Sequence, residues 1–554
     1  MTDLTWWQRG ALYEIYTRSF GDADGDGVGD LAGIRDRLDY LAWLGVAGIW
    51  LTPFYRSPMA DFGYDISDHT DVAPMFGTLD DFDALVDEAH RRDIRVVVDY
   101  VPNHTSDRHP WFEAARSSRE DPKRDWFFWR DLRPDGGPPN NWLSVFGGPA
   151  WEWDPTTEQF YLHTFLREQP DLNWRNPAVE AAMFDVAHFW LDRGVDGFRV
   201  DVAGAVMKDP ELRDNPLDPA PTRFNLGSEW ATQHHVNDFE HPDVYDVWRR
   251  FRRLVDGYDQ RDGRDRVIVA EVPAHDLGRW AGYYGPERDG VHLPFGFHLV
   301  RHDWEGTAIR PIVDAVQAAL PAGAWPNWVL GNHDQRRVAS VAGPDRARVA
   351  MMLLLTLRGA PTLYYGDELG MPDVEIPPDR IADPFGRNVP GQGRDVARTP
   401  MPWTSEPGGG FSPPGVEPWL PLGPAGQGID VETQRADPRS MLNLTRALLR
   451  LRNDRPGLSA GAYEPLDGMP DGVFAYRRAT EDDALIVVLN PTATAARPDL
   501  PGPGAIVLST GCDRMGESFA DGGIELGPFE GVIVEVGQPD RGSLASTSGA
   551  GLEG

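Results

Sequence analysis

Four short apolar runs in this 554-residue sequence end in polar segments whose side chains could do chemistry: DYVPNH, GFRVDV, AEV and GNHD. The residues in question are Asp99, Asn103, His104, Arg199, Asp201, Glu271, His333 and Asp334. If the runs are parallel strands of one barrel, their carboxyl ends open on the same face. Four acids, one arginine and two histidines crowded there would repel one another strongly unless the arrangement does chemistry.

Cleavage of a glycosidic bond is a reaction that needs such a set. One carboxylate attacks the anomeric carbon, a carboxylic acid protonates the leaving oxygen, and water then reverses the path. Arg199 and Asp201 share one side of a strand, so we expect Arg199 to hold Asp201 ionised and to lower its pKa. Glu271 follows the apolar run VIVA, where a raised pKa would suit a general acid. Asp334 could bind sugar hydroxyls and strain the ring.

The elements that must position these residues follow from an alternation of apolar runs with amphipathic stretches. The runs are VAGIWLTPF, IRVVVDYV, VDGFRVDV, RVIVAEV, WVLGNHD and PTLYYGDE. LAGIRDRLDYLAWLG, between the first strand and the second, keeps Ile34, Leu38 and Leu41 at helical spacing, and Gly45 is placed to end that helix. Such alternation over several hundred residues predicts a parallel sheet with helices outside it, either open or closed into a barrel.

Two insertions and a change of pattern divide the chain. Residues 105–171 lack clean periodicity and predict a small domain inserted after the third strand, while 370–433 are rich in Pro and Gly and predict a long loop at the rim. Short strands after a helix near Leu442–Arg452 predict an antiparallel β-domain. We therefore expect a catalytic barrel in 1–104 and 172–457, an inserted domain in 105–171, a C-terminal β-domain in 458–537 and a disordered tail in 538–554.

Composition excludes several classes of function. Lys and Arg number 53 against 86 Asp and Glu, which gives a formal charge of -33. Such a surface repels phosphate backbones and anionic lipid, so neither nucleic acid nor a membrane is an expected partner. A small neutral oligosaccharide is indifferent to that charge, and we expect a monomer or a weak homo-oligomer.

The cellular location follows from the cysteine count and the first residues. Cys512 is the single cysteine, which fits a reducing compartment and a packing role in the β-domain. The start, MTDLTWWQRG, shows no secretory pattern. The longest apolar stretch, about Val349–Leu357, is too short to span a bilayer and predicts a buried helix. The sequence therefore favours the cytoplasm.

In this order, DYVPNH, GFRVDV, AEV and GNHD resemble the conserved regions of the α-amylase family, glycoside hydrolase family 13, and the resemblance runs from Trp6 to about Val536. It implies an α/β fold, a (β/α)8 TIM barrel with an inserted domain and a C-terminal antiparallel β-domain. It further implies Asp201 as nucleophile, Glu271 as acid/base and Asp334 as transition-state stabiliser. The residues implied to surround the cleaved glucose are Arg199, His104, His333 and Tyr64 in GYDIS, the last as a stacking platform.

Two further motifs resemble the oligo-1,6-glucosidase and α-glucosidase group of that family: QPDLN at 169–173 and GRDVARTPMPW at 393–403. By that resemblance, Asp61 and Arg394 would grip the far hydroxyls of the terminal glucose and close the subsite into a pocket. We therefore expect a retaining, exo-acting α-glucosidase that acts on short oligosaccharides and needs no organic cofactor.

Several relatives remain as alternatives. A transglucosidase or a sucrose-acting enzyme would use the same catalytic trio. Trehalose synthases are disfavoured, because VPAH follows Glu271 where we associate an EANQ-type run with them. A non-catalytic relative, such as the heavy chains of amino-acid transporters, would lack parts of the trio and carry a membrane span. Here the trio is present and no span is visible.

Val202, directly after Asp201, bears on the choice of linkage. In enzymes that resemble this one, Val at that position accompanies α-1,6 activity, whereas Ala or Thr accompanies α-1,4 or sucrose activity. By alternation the Val202 side chain should point opposite to Asp201, yet at a strand end it can still border the leaving-group side of the pocket. It could equally be a β-branched packing residue. The pattern leans slightly towards α-1,6 tolerance, with α-1,4 cleavage also expected.

The segment DADGDGVGD spaces its carboxylates like a calcium loop. Its candidate ligands are Asp22, Asp24, Asp26, the Val28 carbonyl and Asp30. An EF-hand would place Glu at position 33, which is Gly33 here, so this is no EF-hand. We expect a structural Ca2+ or Mg2+ away from the sugar; the alternative is a solvated acidic turn.

The inserted segment carries a group of tryptophans: Trp126, Trp129, Trp142, Trp151 and Trp153. They could stack on sugar rings, but the core of a small domain is the favoured interpretation.

Overall fold

The computed structural model of the chain describes residues 4–218, 228–272, 276–300, 302, 304, 306–423, 427–520 and 523–536. The strands are β1 (Leu12–Ile15), β2 (Gly48–Leu51), β3 (Tyr55–Arg56), β4 (Asp68–Val72), β5 (Arg95–Tyr100), β6 (Trp129–Arg130), β7 (Trp151–Asp154), β8 (Gln159–Leu162), β9 (Gly197–Val200), β10 (Val267–Glu271), β11 (Leu293–Phe295), β12 (Asn327–Val329), β13 (Ala360–Tyr364), β14 (Ala462–Pro465), β15 (Phe474–Ala479), β16 (Ala484–Asn490), β17 (Gly504–Ser509), β18 (Ser518–Phe519) and β19 (Glu530–Val536).

The helices are α1 (Trp6–Arg9), α2 (Leu31–Arg35), α3 (Leu38–Leu44), α4 (Leu79–His90), α5 (Pro110–Ser117), α6 (Pro177–Asp192), α7 (Val244–Asp262), α8 (Leu277–Gly282), α9 (Gly306–Ala319), α10 (Val338–Val341), α11 (Pro344–Thr356), α12 (Pro384–Asn388), α13 (Val431–Ala436), α14 (Met441–Asp454) and α15 (Pro456–Ser459).

Strands β1, β2, β5, β9, β10, β11, β12 and β13 close into a parallel barrel in chain order, and β13 pairs with β1. Helices lie between successive strands, so the expected (β/α)8 barrel is confirmed. Its interior is filled by apolar side chains such as Trp50, Val97 and Leu293. The barrel is thus a packed core whose chemistry is confined to the strand ends.

A glycine sets the register beneath the polar cluster. Gly197 has φ 151, and a Cβ there would lie 2.1 Å from the carbonyl oxygen of Val267, so a larger residue would push β9 and β10 apart. With Gly197 paired to both neighbouring strands, Asp99 of β5 lies directly opposite Arg199 of β9. The register therefore delivers a carboxylate next to a guanidinium inside the barrel mouth.

The helix expected between the first two strands is two helices. α2 and α3 are separated at Asp36 and Arg37, so a single helix through this segment was a wrong prediction. Ile34, Leu38 and Leu41 are nevertheless all buried, and Gly45 ends α3 in a left-handed conformation with φ 96. The apolar spacing predicted burial correctly, because both short helices lie against the same core.

Strands β14–β19 form an antiparallel sheet with the order β14-β15-β16-β19-β17-β18. Alternate side chains divide between two cores, as strand geometry requires. Tyr476 and Val487 join the main core against the barrel, whereas Ile486 and Val488 pack into a separate cluster on the outer face. Both faces of the sheet are therefore buried.

The segment after β5 contains α5 and a small sheet with the order β6-β8-β7. Trp129, Trp142 and Trp151 are buried there, while Trp126 and Trp153 are partly exposed. The favoured interpretation of these tryptophans as core residues is confirmed for the three buried ones.

The buried helix expected at residues 349–357 is confirmed, since most of them lie within α11, which is buried from Val349 to its end at Thr356. In the part of the chain that is described, no helix is both long enough and apolar enough to cross a membrane. The predicted tail, 538–554, and most of VPAH, 273–275, lie outside the described residues.

Candidate active site

A cavity of about 140 Å³ opens at the carboxyl ends of the barrel strands. The sequence-predicted residues that line it are Asp61, Tyr64, His104, Asp201, Glu271, Asp334 and Arg394. Arg199 and His333 are fully buried and reach these residues through hydrogen bonds. The structure thus brings the nine predicted catalytic and sugar-binding residues together.

Arg199 is the hub of the cavity floor. Its Nη1 donates to Asp99 Oδ1 at 2.9 Å and to Asp201 Oδ1 at 2.7 Å, and its Nη2 donates to Glu271 Oε2 at 2.6 Å. The Arg199 guanidinium also lies over the Trp50 ring, 4.8 Å from its centroid. One cation therefore serves three carboxyl groups, which favours retention of a proton among them.

The pKa values of these carboxyl groups follow from burial more than from Arg199. Burial raises the pKa of Glu271, with Arg199 opposing the shift and Asp334 adding to it. Burial likewise raises the pKa of Asp201 well above its ordinary value: Arg199 lowers this pKa, as expected, but burial outweighs it. Burial also raises the pKa of Asp99, to about 6.

Asp334 differs from the other carboxyl groups. Burial opposes its ionisation, but the Arg394 and Arg398 guanidinium groups hold its pKa below the ordinary value. Arg398 Nη2 and Arg394 Nη1 both donate to Asp334 Oδ1, at 2.7 and 3.1 Å. Asp334 is therefore anionic whenever the neighbouring acids hold a proton.

The backbone turns sharply after Asp201. Val202 has φ 35, a strained value for a β-branched residue, and its N–H lies 3.3 Å from Glu271 Oε2. Val202 lines the same cavity as Asp201, as a residue at a strand end can do. Arg199 and Val202 both donate to Oε2 of Glu271, which leaves its Oε1 as the atom best placed to carry a transferable proton.

Tyr64 and His333 lie against each other at the base of the cavity. Their rings stack at 5.4 Å with an angle of 15° between planes, and Tyr64 Oη lies 2.8 Å from His333 Nε2. Glu14 of β1 pairs with the other ring nitrogen, Nδ1, at 2.6 Å. Burial lowers the pKa of His333 well below its ordinary value, so the ring is neutral and Glu14 fixes its orientation.

His104 also lines the cavity. Burial lowers its pKa to about 4, so it too is neutral. Gln169 Nε2 lies 3.1 Å from His104 Nε2 and donates to Asp61 Oδ2 at 3.2 Å. The predicted motif QPDLN thus reaches the site through Gln169, which ties His104 to Asp61.

Arg394 closes the cavity from the long rim segment. Its Nη2 donates to Asp61 Oδ1 at 2.8 Å and to Asp383 Oδ1 at 2.7 Å. The residue is only slightly exposed, with 11% of its side chain accessible. Asp61 and Arg394, which were expected to act together, are therefore joined directly.

Sequence reasoning missed the apolar wall of the cavity, which consists of Val145, Phe146, Phe165, Trp230, Phe239 and Phe385. Phe146 and Phe385 stack at 4.9 Å, and Phe146 meets Phe165 edge to face at 5.8 Å. These residues come from the inserted segment, from the segment between β9 and α7, and from the short helix α12 of the rim. Only their aromatic character could have drawn attention to them.

Three polar partners were also missed: Glu14, Asp383 and Arg398. Glu14 carried a usable signal, since it is an isolated acid within the apolar run LYEIY. Arg398 lies within the motif GRDVARTPMPW but was not singled out there, and Asp383 lies in the Pro- and Gly-rich rim segment, where no pattern distinguishes it from a solvated loop residue.

The acidic loop after β1 brings three of its four carboxylates together. Asp22, Asp24 and Asp30 place carboxylate oxygens within 4.8 Å of one another. Asp26 is exposed and, among the described residues, is not a member of this group; its Oδ1 accepts from the Val28 N–H at 2.8 Å. The predicted ligand set is therefore assembled only in part.

This loop packs on the rim segment. Asp22 N donates to the Phe411 carbonyl and Trp419 N donates to the Gly27 carbonyl, each at 2.9 Å. Gly27 has φ 89, and a Cβ there would lie 2.4 Å from the Glu417 carbonyl oxygen. The loop thus serves as a brace between β1 and the rim.

Comparison with known proteins places this geometry in a family. Residues 14–461 match the family described as "Alpha amylase, catalytic domain". The chain is 42% identical to a probable alpha-glucosidase of Rhizobium meliloti (strain 1021), over 90% of this chain and 92% of that protein. It is 36% identical to an oligo-1,6-glucosidase of Heyndrickxia coagulans, over 90% and 94%.

A solved structure shows the same likeness in three dimensions. The crystal structure of the alpha-glucosyl transfer enzyme XgtA superposes with a TM-score of 0.90 at 40% identity, and covers 96% of this chain and 99% of that one. The family match spans most of the chain and includes every strand of the barrel. The chain therefore belongs to the α-amylase family of glycoside hydrolases.

Proposed function

We propose that this protein is a retaining, exo-acting α-glucosidase that releases terminal α-linked glucose from short oligosaccharides. The observation that carries the proposal is the bridge made by Arg199 between Asp201 and Glu271, at 2.7 and 2.6 Å. A bridge by one guanidinium favours the short separation of retaining enzymes, about 5–5.5 Å, over the 6.5–9.5 Å that leaves room for a water in inverting enzymes.

In the first step Asp201 acts as the nucleophile. Its carboxylate oxygen forms a bond to the anomeric carbon while the glycosidic C–O bond breaks, and Glu271 gives its proton to the leaving oxygen. Arg199 favours the ionised form of Asp201 through their 2.7 Å contact, and its effect on Asp201 is greatest when Glu271 carries the proton, because the guanidinium then has one fewer charged partner. Asp334 faces the sugar as a fixed anion and stabilises the positive charge that develops on the ring.

In the second step Glu271, now ionised, takes a proton from water. The resulting nucleophile attacks the anomeric carbon, and the bond to Asp201 breaks. Two inversions at one carbon give net retention, so the first product is α-glucose. His104, His333 and Tyr64 are neutral donors and acceptors that suit sugar hydroxyls.

Exo action is supported by the way the cavity is closed. Arg394 and Asp61 are joined across its far end at 2.8 Å, with Phe146 packed over the Arg394 guanidinium at 5.0 Å. A closed end accepts one terminal sugar and leaves no passage for a chain that continues. This arrangement distinguishes release of single glucose units from cleavage within a chain.

For the linkage we propose tolerance of α-1,6 bonds together with α-1,4 cleavage. Val202 lines the cavity beside Asp201 and so can contact the leaving group. The name of the Heyndrickxia coagulans relative, an oligo-1,6-glucosidase, is in keeping with this choice.

A structural Ca2+ or Mg2+ is proposed for the acidic loop. The three carboxylates that approach within 4.8 Å supply oxygen ligands of the kind these ions prefer, and Asp22 and Asp30 are buried. The ion would neutralise this charge and fix the loop against the rim, with no part in the chemistry.

The division of the chain is also a proposal: a barrel in 1–104 and 172–457, an inserted domain in 105–171 and a β-domain in 458–537. The separate β6-β8-β7 sheet and the six-stranded antiparallel sheet support these boundaries. We propose a cytoplasmic location, which the single cysteine supports. We also propose that the protein is a monomer or a weak homo-oligomer.

Turnover of p-nitrophenyl α-glucoside tests the function directly. Release of p-nitrophenol by the wild-type chain is expected, and its absence would favour a non-catalytic binding protein. Product analysis on maltose, isomaltose, sucrose and trehalose then separates hydrolysis from transfer and fixes the linkage.

Glucosyl transfer is the second candidate, because XgtA is named for it and its fold superposes closely. The apolar wall that includes Phe146, Trp230 and Phe239 would make the site bind water less favourably than a sugar or alcohol acceptor. Oligosaccharides longer than the substrate would identify this activity.

A further inference from the structure

We propose that Asp383 is a positioning residue for the terminal-glucose subsite: it fixes Arg394 from behind, so that Arg394 meets the sugar in a preset orientation. The proposal deepens the function proposed above and rests on it. No motif in the sequence marks Asp383, and its side chain is not among those that line the cavity.

Asp383 holds both the backbone and the side chain of Arg394. Its Oδ2 accepts from Arg394 N at 2.7 Å, and its Oδ1 accepts from Arg394 Nη2 at 2.7 Å and from Nε at 3.1 Å. This paired contact fixes the plane of the guanidinium as well as its position. The Arg394 guanidinium also donates to Asp61 Oδ1 from Nη2 at 2.8 Å and to Asp334 Oδ1 from Nη1 at 3.1 Å.

Exposure makes Asp383 different from those two carboxylates, since 6% of the Asp61 side chain and none of the Asp383 side chain is accessible. Asp383 is fully buried, whereas 26% of the Asp334 side chain is exposed to the cavity. Burial opposes ionisation of Asp383, but Arg394 outweighs it and holds its pKa below the ordinary value. Asp383 therefore neutralises Arg394 without touching the sugar, and leaves Asp61 and Asp334 oxygens available for hydroxyl groups.

Asp383 also closes the segment that carries the cavity wall. Its own N–H donates to Asp395 Oδ2 at 2.9 Å, while its Oδ2 accepts from the neighbouring Arg394 N–H. The two ends of this loop approach so closely that a Cβ on Gly386 would lie 2.7 Å from the Gly393 Cα. Phe385 and Gln392, which lie between Asp383 and Arg394 in the chain, line the cavity. The buried Asp383 carboxylate thus fixes both the orientation of Arg394 and the loop that carries Phe385 and Gln392.

The competing explanation is that Asp383 only caps α12, since its Oδ1 also accepts from Phe385 N at 3.2 Å. Asparagine is about as good an N-cap as aspartate. The variant Asp383→Asn would therefore leave a cap intact, but it removes the charge and one of the oxygens that hold Arg394. The two explanations predict different results for this variant.

The experiment measures glucose binding by calorimetry, kcat and KM on p-nitrophenyl α-glucoside, and melting temperature. The variants are Asp383→Asn, Arg394→Ala and the double variant. Glu417→Gln is the matched control, because it breaks an exposed ion pair with Arg380 in the same rim segment. We expect Asp383→Asn to weaken glucose binding and raise KM by on the order of tenfold to a hundredfold, with a smaller change in kcat. Glu417→Gln should change neither.

The double variant should bind glucose no more weakly than Arg394→Ala alone, because Asp383 acts through Arg394. Losses that simply add, or an Asp383→Asn variant with wild-type glucose binding, would overturn the proposal. If Asp383→Asn does not fold, Asp383→Glu decides: it keeps the charge on a longer arm and should bind glucose more weakly than wild type. A wild type that binds glucose but hydrolyses nothing would refute the proposed function and still leave the Asp383 comparison decisive.

Discussion

Arg199 Nη2 lies 2.6 Å from Glu271 Oε2, although a general acid needs to keep its proton. The same guanidinium contacts Asp201 and Asp99, so its charge is divided among three carboxyl groups. Burial raises the pKa of Glu271 in spite of this contact. Arg199 therefore orients Glu271 without forcing it to ionise, and it stabilises Asp201 when that residue alone is charged.

Asp201→Asn should abolish turnover of every substrate, because no glucosyl-enzyme can form. A loss in kcat on the order of 10⁴-fold or more is expected. Steady-state rates on maltose, isomaltose and p-nitrophenyl α-glucoside check this, with circular dichroism to show that the variant is folded. Near-wild-type hydrolysis of any of the three would refute the role of Asp201.

Glu271→Gln should behave differently from Asp201→Asn. An activated aryl leaving group needs no proton, so the first step on p-nitrophenyl α-glucoside should survive, whereas maltose hydrolysis should fall about 10²–10⁴-fold. Pre-steady-state release of p-nitrophenol followed by slow turnover would show this, since the second step still needs the base. Equal losses on the aryl glucoside burst and on maltose would contradict the assignment.

The dependence of activity on pH should reflect raised pKa values. Burial raises the pKa of both Asp201 and Glu271, and activity needs Asp201 ionised and Glu271 protonated. Activity is then lost at low pH as Asp201 gains a proton and at high pH as Glu271 loses one. With both pKa values raised, the bell of kcat/KM should lie above the ordinary carboxyl range of about 3.9–4.3. An alkaline limb that begins near that range would show that burial does not govern Glu271.

Strand ends could be predicted from the sequence because each apolar run stops where its polar residues begin. That pattern predicted Arg199, Asp201 and Glu271 and a parallel sheet, whereas the closed barrel was implied by the resemblance to the α-amylase family. Alternation along the strand could not foresee the turn at Val202, where φ is 35 and the N–H donates to Glu271 Oε2 at 3.3 Å.

Contacts between distant loops were beyond sequence reasoning. The apolar wall and Asp383 come from segments whose positions depend on the barrel already being closed. Glu14 is the exception, since an acid inside LYEIY must find a partner when buried, and His333 is that partner. Asp26 shows the opposite error: regular spacing of four acids did not bring all four together.

Val202→Thr should alter linkage preference while sparing aryl-glucoside turnover. Val202 lines the cavity beside Asp201, and Thr keeps its volume but adds a hydroxyl. One such contact is worth about 1–3 kcal/mol of discrimination. The ratio of kcat/KM for isomaltose to that for maltose measures it; a ratio equal to that of the wild type would remove Val202 from the specificity argument.

Removal of metal should lower thermal stability more than it lowers activity at moderate temperature. The acidic loop braces the rim through Asp22 and Gly27, and an ion held only by the folded loop stabilises it by mass action. The loss amounts to about 2.7 kcal/mol when the free ion stands at about 100 times its Kd. Melting curves with chelator, and with Ca2+ or Mg2+ restored, check this. Unchanged melting together with no metal in the purified protein would favour a solvated acidic turn.

The stereochemistry of the first product tests the double displacement most directly. Proton NMR of p-nitrophenyl α-glucoside hydrolysis, which releases a single glucose and is recorded before mutarotation equilibrates the anomers, should show the signal of α-glucose appearing first. That result follows from attack by Asp201 and then by water activated by Glu271. Initial accumulation of β-glucose would mean a single inverting displacement, and would contradict the assignment of Asp201 as a nucleophile.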